Sequence, residues 1–342
     1  MLEIEAPPTG VKPQCVYFGV CGGCSYQDLT YLDQLELKRN KVEETLRALK
    51  YFSSDLLNPV IPSPKPYLYR HMIALSVMKR QGVLRLGFIG QDRWTFIPIE
   101  SCSIADGRIN QFIPHTYAKL EELPIQRRFR TSQVVLRVGE SGEVITSLRM
   151  DRGKEFECTV LGKKFSYSLS SFFQHNFSIL DSFVNVIHSF LNPTAKGTLF
   201  DLYSGVGLLG ISLSDSFEKI IGIEEGYEAV QHAKQNAVRN HVTNTSFFEG
   251  KVETLLPDLI SRANEPLYVV VDPPRKGLKP EVVEVLLKVP IERLVYVSCE
   301  LSALKRDLEL LENQFLIERV QPLDFFPQTK HIETIVSLIP RK

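Results

Sequence analysis

Two places in this 342-residue sequence set out side chains able to do chemistry: a thiol at the end of an apolar run, and a tight group of cysteines near the N-terminus. Leu294, Val295, Tyr296 and Val297 read as a buried strand, and Leu301, Leu304, Leu308 and Leu311 recur at helical spacing, so Cys299 stands at a strand-to-helix junction. In an open parallel sheet, ligands bind outside the carboxyl ends of the strands. Taken alone, such a cysteine is more often a small buried hydrophobe than a nucleophile. The second feature is "CVYFGVCGGC", in which Cys15, Cys21 and Cys24 form a C-x5-C-x2-C cluster. Its glycines let the backbone wrap closely around an ion or cluster. Cys102, in "IPIESCSIADGRIN", is the candidate fourth ligand. Zinc and an iron–sulfur cluster both accept four thiolates, and the spacing does not choose between them.

A glycine loop adds a third site. In "FDLYSGVGLLGISL", Gly205, Gly207 and Gly210 follow a strand and open a helix, and Glu224 lies 19 residues after Gly205 (224 − 205), at the end of the next strand. This is the geometry of a dinucleotide fingerprint, with the acid on a ribose hydroxyl. A loop for S-adenosylmethionine is built the same way. Asp201, four residues before Gly205, discriminates: an acid there suits a cationic methionine moiety and repels a pyrophosphate. In "LYVVVDPPRKG", Asp272 ends another strand, and Pro273 and Pro274 hold its carboxylate in an extended turn beside the cleft. Loop, acids and Cys299 converge on one edge of one sheet, and there the catalytic reading of Cys299 overtakes the buried-thiol reading.

The elements that position these groups follow from pattern. Asp28 to Lys50 reads as one long helix, followed by a linker with four prolines, "YFSSDLLNPVIPSPKPY". From Tyr69 to about Tyr167, short alternating runs separated by turn signals indicate a β-rich, mostly antiparallel unit. From about Ser171, strands alternate with helices, the pattern of a doubly wound α/β domain. The expected organisation is a cysteine-cluster and β-rich central domain (1–28 and 60–166) and a Rossmann-like domain (29–59 and 167–342) carrying the N-terminal helix. Lys plus Arg (40) balances Asp plus Glu (40), so no global basic field marks the chain and nucleic-acid contact must rest on local patches. The N-terminus lacks a signal-peptide core and no segment approaches a membrane span, so a cytoplasmic monomer is expected.

In this order, "CVYFGVCGGC" with Cys102, "SFFQHN", "DLYSGVG", "VVVDPPRKG", "VYVSCE" and "KHIETIVSL" make nearly the whole chain resemble the RNA 5-methyluridine methyltransferase family. The resemblance implies S-adenosylmethionine-dependent methylation of carbon 5 of a uridine. It implies Cys299 as nucleophile, Glu333 as general base, and a 4Fe-4S cluster on the four cysteines. It also places Gln174, Tyr203, Glu224 and Asp272 against the cofactor or the target base, and packs the N-terminal helix on the catalytic domain. Three departures stand out. Only 14 residues precede Cys15, so the N-terminal RNA-binding domain of the longer rRNA members is expected to be absent. Glu300 follows the nucleophile where members often carry Asn or Asp, and Gln328 stands where His is common. Length and the cysteine cluster lean towards the shorter bacterial 23S rRNA enzymes, with tRNA as the alternative substrate.

The residue types fit the chemistry so implied. A thiolate adding to carbon 6 of uracil makes an enolate whose carbon 5 can take a methyl group, and the carbon-5 proton must then leave to a base. A uracil in structured RNA must be flipped out to reach such a pocket. Lys79, Arg80 and Arg85, then Arg127, Arg128 and Arg130, then Lys163 and Lys164, are candidate phosphate contacts; Tyr67, Tyr69, Phe88 and Trp94 are candidate stacking rings. Two other classes compete: a non-catalytic metal-containing RNA-binding protein, and a nicotinamide oxidoreductase.

Overall fold

Helix α1 (Tyr31–Leu46) starts where Thr30 caps it: the Thr30 backbone is extended and its hydroxyl accepts from the Asp33 N–H at 3.2 Å. The computed structural model describes residues 10–80, 83–122, 133–148 and 154–341. The buried stripe of α1 is Gln34, Lys38, Val42 and Leu46, four residues apart, while Leu32 is left 77 % exposed. Two polar side chains therefore face inward on a helix that reads in sequence as leucine-backed, because each finds a buried partner described below.

The central unit is an antiparallel sheet of β1 (Met72–Arg80), β2 (Val83–Ile89), β3 (Phe96–Pro98), β4 (Gln133–Arg137) and β5 (Ile145–Thr146), in the order β3-β2-β1-β4-β5. Its alternating residues Ile73, Leu75 and Val77 are buried on one face. Helix α2 (Gly107–Glu122) covers that face with Ile109 and Ile113. The strand-only reading of this stretch misses α2, since Pro114 inside it reads as a breaker. Arg127, Arg128 and Arg130 lie outside the described residues.

Strands β6 (Glu155–Val160) and β7 (Lys163–Ser168) form a separate hairpin. Leu161 (φ 47°) and Gly162 (φ 77°) both take the left-handed conformation that a tight two-residue turn needs. Cys158, Val160, Phe165 and Tyr167 enter the hydrophobic core of the C-terminal sheet, not that of the central one. The expected domain edge between 166 and 167 falls inside β7.

That sheet follows in chain order: α3 (Leu180–Leu191), β8 (Thr198–Leu202), α4 (Leu208–Ser212), β9 (Lys219–Glu224), α5 (Tyr227–Arg239), β10 (Thr245–Glu249), α6 (Val252–Ser261), β11 (Leu267–Val271), α7 (Pro280–Lys288), β12 (Ile291–Ser298), α8 (Leu301–Leu311), β13 (Phe315–Leu323) and β14 (Glu333–Pro340). The strand order is β10-β9-β8-β11-β12-β14-β13, with β14 antiparallel to both neighbours and the rest running one way. The sequence pattern names six of these strands and misses β13, whose Glu318, Arg319 and Pro322 are edge-strand features. Central strands are buried on both faces: along β11, Tyr268 and Val270 enter one core while Leu267, Val269 and Val271 enter the other. Helix α1 packs against α8 on the second face. Among the described residues no helix is long and apolar enough to cross a membrane.

Candidate active site

The chain leaves β8 towards β9 on one side and returns to β11 on the other, so the carboxyl ends of β8 and β11 flank a switch point where ligands bind in such sheets. Tyr203 follows β8, Glu224 ends β9, Asp272 follows β11 and Cys299 follows β12. Glu333 reaches the same edge from the opposite direction, as the first residue of antiparallel β14. Ser298 pairs with Thr334, so the next position along brings Cys299 opposite Glu333. Residues directly opposite in antiparallel strands project to the same face.

The glycine loop is held by backbone bonds. The amides of Tyr203 and Ser204 both donate to the Ile223 carbonyl, at 2.9 and 3.0 Å. Tyr203 (φ 66°), Gly205 (φ 54°) and Gly207 (φ 82°) are all left-handed. At Gly207 a Cβ would come within 2.9 Å of both Ile211 and Phe247, so position and conformation each demand glycine. Glu224 grips the loop with both oxygens: Oε2 accepts from the Gly205 amide (3.0 Å) and Oε1 from the Gly226 amide (2.7 Å). Asp201 is 1 % exposed and its Oδ2 accepts from the Gly210 amide at 2.9 Å, so it pins the loop from below.

Burial sets the electrostatics. Asp201 is pushed up to about 7, the Gly210 amide opposing and the Glu224 charge adding. Asp272, beside it, is raised to about 7 by desolvation and by the Asp201 charge. Glu333 is raised well above the carboxylate range by burial and by Asp272. The half-buried Cys299 thiol is pushed up to about 11 by burial, then by Glu333 and Asp272, with the Arg275 guanidinium opposing. Glu300 plays a different part: it caps α8, its Oε1 accepting from the Ser302 hydroxyl at 2.9 Å. Asp272, Glu333 and the Cys299 thiol thus act on one another at the ligand edge, with Asp201 buried beneath the glycine loop.

Gln174 stands on a flanking segment and, among the described residues, makes no hydrogen bond to this group. Its segment is shaped by the buried Arg137, which donates to the carbonyls of Ser168 (2.9 Å), Ser171 (2.8 Å) and Phe173 (3.4 Å). It is tied to α5 by the Ser168 and Ser170 hydroxyls on Glu228.

Cys15, Cys21, Cys24 and Cys102 line one cavity of about 330 Å³, together with Tyr17, Phe18 and Arg70. Gln27, itself buried, accepts from the Cys15 amide (3.0 Å) and donates to Ser103 beside Cys102 (3.1 Å), drawing the two segments together. Burial pushes the Cys24 thiol up to about 12, with Cys102, Cys21 and Cys15 adding to the shift. Cys158 sits in the hairpin core, away from this cavity. Among the described residues, no group of three or more His, Cys, Asp or Glu is arranged as the ligands of a metal ion.

A family model described as tRNA (uracil-5-)-methyltransferase matches residues 132–341. The chain belongs to that family. It is an RNA methyltransferase. An uncharacterized RNA methyltransferase of Clostridium acetobutylicum is 31 % identical, covering 98 % of this chain and 85 % of that one. One of Gloeobacter violaceus is 30 % identical over 98 % and 84 %. The crystal structure of the tRNA (uracil-54, C5)-methyltransferase of Pyrococcus abyssi, in complex with S-adenosyl-L-homocysteine, superposes with a TM-score of 0.77 at 25 % identity, over 98 % of this chain and 87 % of that one.

Three residues of the methyltransferase escape the sequence reading. Asp307 is fully buried and accepts from the Leu278 amide (2.7 Å) and the Tyr296 hydroxyl (2.6 Å), while its neighbour Arg306 donates to the Lys276 carbonyl (2.7 Å). Together they fix the loop that follows Asp272. The available signal is an acid inside the apolar stripe of α8, three residues after Leu304 and four before Leu311. Arg275, on the same loop, has no pattern signal beyond following Pro-Pro; only the fold brings it near Cys299.

Proposed function

We propose that this methyltransferase transfers the methyl group of S-adenosyl-L-methionine to carbon 5 of a uridine in structured RNA, with Cys299 as nucleophile and Glu333 as general base. The observation that carries the reading is the register of β12 and β14, which ends at Ser298 and Thr334 and so sets Cys299 beside Glu333, whose charge acts on its thiol. The Cys299 thiol gives up its proton to solvent, the thiolate Sγ bonds to carbon 6, and the electron pair of the 5,6 double bond moves into an enolate. Carbon 5 then takes the methyl group from the sulfonium. Glu333 removes the carbon-5 proton, and the carbon–sulfur bond breaks as the double bond re-forms. Closing the cycle needs Glu333 ionised, and its burial keeps it a strong base for that proton.

The residues present fit the cofactor. Gly207 leaves room for close approach, Tyr203 and Gly205 form the loop, and Glu224 is the ribose acceptor of this reading. Burial and a neighbouring carboxylate raise both Asp201 (by Glu224) and Asp272 (by Asp201), and a sulfonium and an ammonium beside them would offset that. Gln174 is assigned with them to the cofactor or the target base. The four thiols share one cavity, and the family resemblance favours a 4Fe-4S cluster on them, with zinc as the alternative. Cys15, Cys21, Cys24 and Cys102 would hold it as a structural centre, since methyl transfer needs no electron.

The sequence leaned to 23S rRNA; the tRNA substrate of the Pyrococcus abyssi neighbour favours tRNA as the second reading. The test is methyl transfer from labelled S-adenosylmethionine to purified tRNA and 23S rRNA, with 5-methyluridine mapped in the product. RNA carrying 5-fluorouridine should become covalently attached to the parent protein, since carbon 5 then has no proton to lose. Absence of both product and adduct with either RNA sinks the reading.

A further inference from the structure

We propose that the buried Gln34–Gln328 pair is a clasp that positions Glu333, holding the catalytic base against the uracil from the N-terminal helix. The inference rests on the reading of Glu333 as general base. Gln328 precedes Glu333 by five residues, on the segment that joins β13 to β14. It is 1 % exposed and left-handed (φ 69°), a conformation that a residue other than glycine keeps only where its surroundings over-determine it. Those surroundings are explicit. The Gln328 amide donates to Gln34 Oε1 at 3.1 Å, and Gln34 Nε2 donates back to Gln328 Oε1 at 3.0 Å. The Gln328 carbonyl accepts from the amides of Ser25 (2.9 Å) and Tyr26 (3.1 Å), which directly follow Cys24.

The same segment is gripped on either side of Gln328. Lys38 Nζ meets Asp324 at 2.6 Å and the Phe326 carbonyl at 3.0 Å, and the Tyr69 hydroxyl donates to the Pro327 carbonyl at 3.0 Å. Downstream, Thr329 Oγ1 donates to the Phe326 carbonyl (2.8 Å) and accepts from the His331 amide (3.2 Å), so the turn runs fixed into β14. None of these grips comes from the Rossmann-like elements that present Cys299. The nucleophile is set by its own strand and helix, whereas the approach of the base is set mainly by residues 25 to 69, with Asn176 Nδ2 adding a bond to the Phe325 carbonyl at 3.2 Å. Loss of the clasp should therefore impair proton removal and leave thiol addition nearly untouched. Gln34 and Gln328 are positioning residues: neither need touch the uracil.

The test is single-turnover methylation with labelled donor and substrate RNA, reading addition and release separately. Gln34→Met keeps the volume and removes both reciprocal bonds; Gln34→Glu restores the acceptor for the Gln328 amide; Leu32→Ala is the exposed control on the same helix. Gln34→Met should form adduct at close to the parent rate but release product about 10- to 100-fold more slowly, the penalty of displacing a reacting group by up to an ångström. Methylated RNA should accumulate on the protein, and Gln34→Glu should recover most of the release rate. Gln328→Gly, which accepts the left-handed backbone at no cost, should show the same release defect even if Gln34→Met folds poorly. Equal loss in addition and release, or a lowered melting temperature with an unchanged ratio of the two rates, overturns the clasp alone. Normal release by Glu333→Gln in parallel overturns the assignment of the base, and the clasp with it.

Discussion

Binding of S-adenosylmethionine should expel protons from the pocket. Asp201 and Asp272 are each held near 7, burial being the larger cause and a neighbouring carboxylate adding to it. Asp201 bears on Asp272, and Asp272 in turn on Glu333, so the protons belong to the set and not to one residue. A ligand cation beside them favours the charged form and returns the pair towards the ordinary carboxylate range. At pH 6 a carboxyl with a pKa of 7 is about 90 % protonated, and one with a pKa near 4 only about 1 %. Binding should therefore release on the order of one proton per enzyme at pH 6 and almost none at pH 9. The bound state holds fewer protons, so affinity should rise with pH by up to about tenfold per unit between about 4 and 7, then level.

The unliganded protein should show the converse. A carboxyl whose folded pKa lies above its unfolded value binds protons more tightly when folded, so this pair destabilises the fold increasingly as pH rises from about 4 to 7. Saturating cofactor should flatten that slope. Calorimetric titration at pH 6 in two buffers of different ionisation enthalpy reads the proton count directly. Identical apparent enthalpies in the two buffers would refute the argument, since the carboxyls would then be ionised already or would not face the cation.

Other outcomes follow from the same geometry. Cys299→Ala should abolish both methylation and the covalent complex, whereas Glu333→Gln should leave methylated RNA attached to the protein, seen as a slow band on a denaturing gel; methylation by Cys299→Ala ends the mechanism. Lys38→Ala strands Asp324, which is fully buried, and should cost about 3–5 kcal/mol in urea unfolding, most of it recovered by pairing Lys38→Met with Asp324→Leu; a cost of about 1 kcal/mol or less would mean that water reaches the pair. Anaerobically prepared protein should carry about four irons. Cys102→Ser should lose them and Cys158→Ser keep them, and stoichiometric zinc in their place would overturn the cluster while leaving the four ligands standing.

Much of the candidate site is legible in sequence because β8, β11 and β12 each carry a candidate residue just past an apolar run. Leu294 to Val297 announce Cys299, and the Val269–Val271 run announces Asp272, without any knowledge of the fold. What pattern misses is whatever depends on partners distant along the chain. Gln34 and Lys38 look like solvent-facing residues of α1, and only Gln328 and Asp324, 294 and 286 residues away, make them core. Asp307 stands in the apolar stripe of α8, but only the loop after Asp272 shows what it holds there. The hairpin β6–β7 has the alternation of the central sheet, yet Asn236 of α5 claims it, its Oδ1 accepting from the Ser166 amide at 2.7 Å and its Nδ2 donating to the carbonyls of Ser166 (3.0 Å) and Val206 (3.1 Å). That one side chain couples the hairpin to the glycine loop. Periodicity cannot report it, because alternation specifies a buried face but not which body buries it.

The position of Glu333 shows why the N-terminal segments are needed at all. Every parallel strand offers its carboxyl end to the ligand edge, and the residue it delivers there is fixed by the strand behind and the helix ahead. Glu333, the proposed base, comes instead from a strand running the other way, and β14 supplies its first residue, not its last. The chain before that residue is a nine-residue connection, 324–332, with no helix or strand of its own. Left to itself such a loop opens at low cost, since local stability follows packing and buried hydrogen bonds. General-base catalysis needs hydrogen-bond reach, so the loop must be immobilised by contacts from outside the sheet. Lys38, Tyr69, Gln34 and the two amides after Cys24 provide them. The antiparallel strand that solves the geometry of the base thereby makes the cysteine segment and the first helix part of the active site's frame, although neither reaches the reacting atoms.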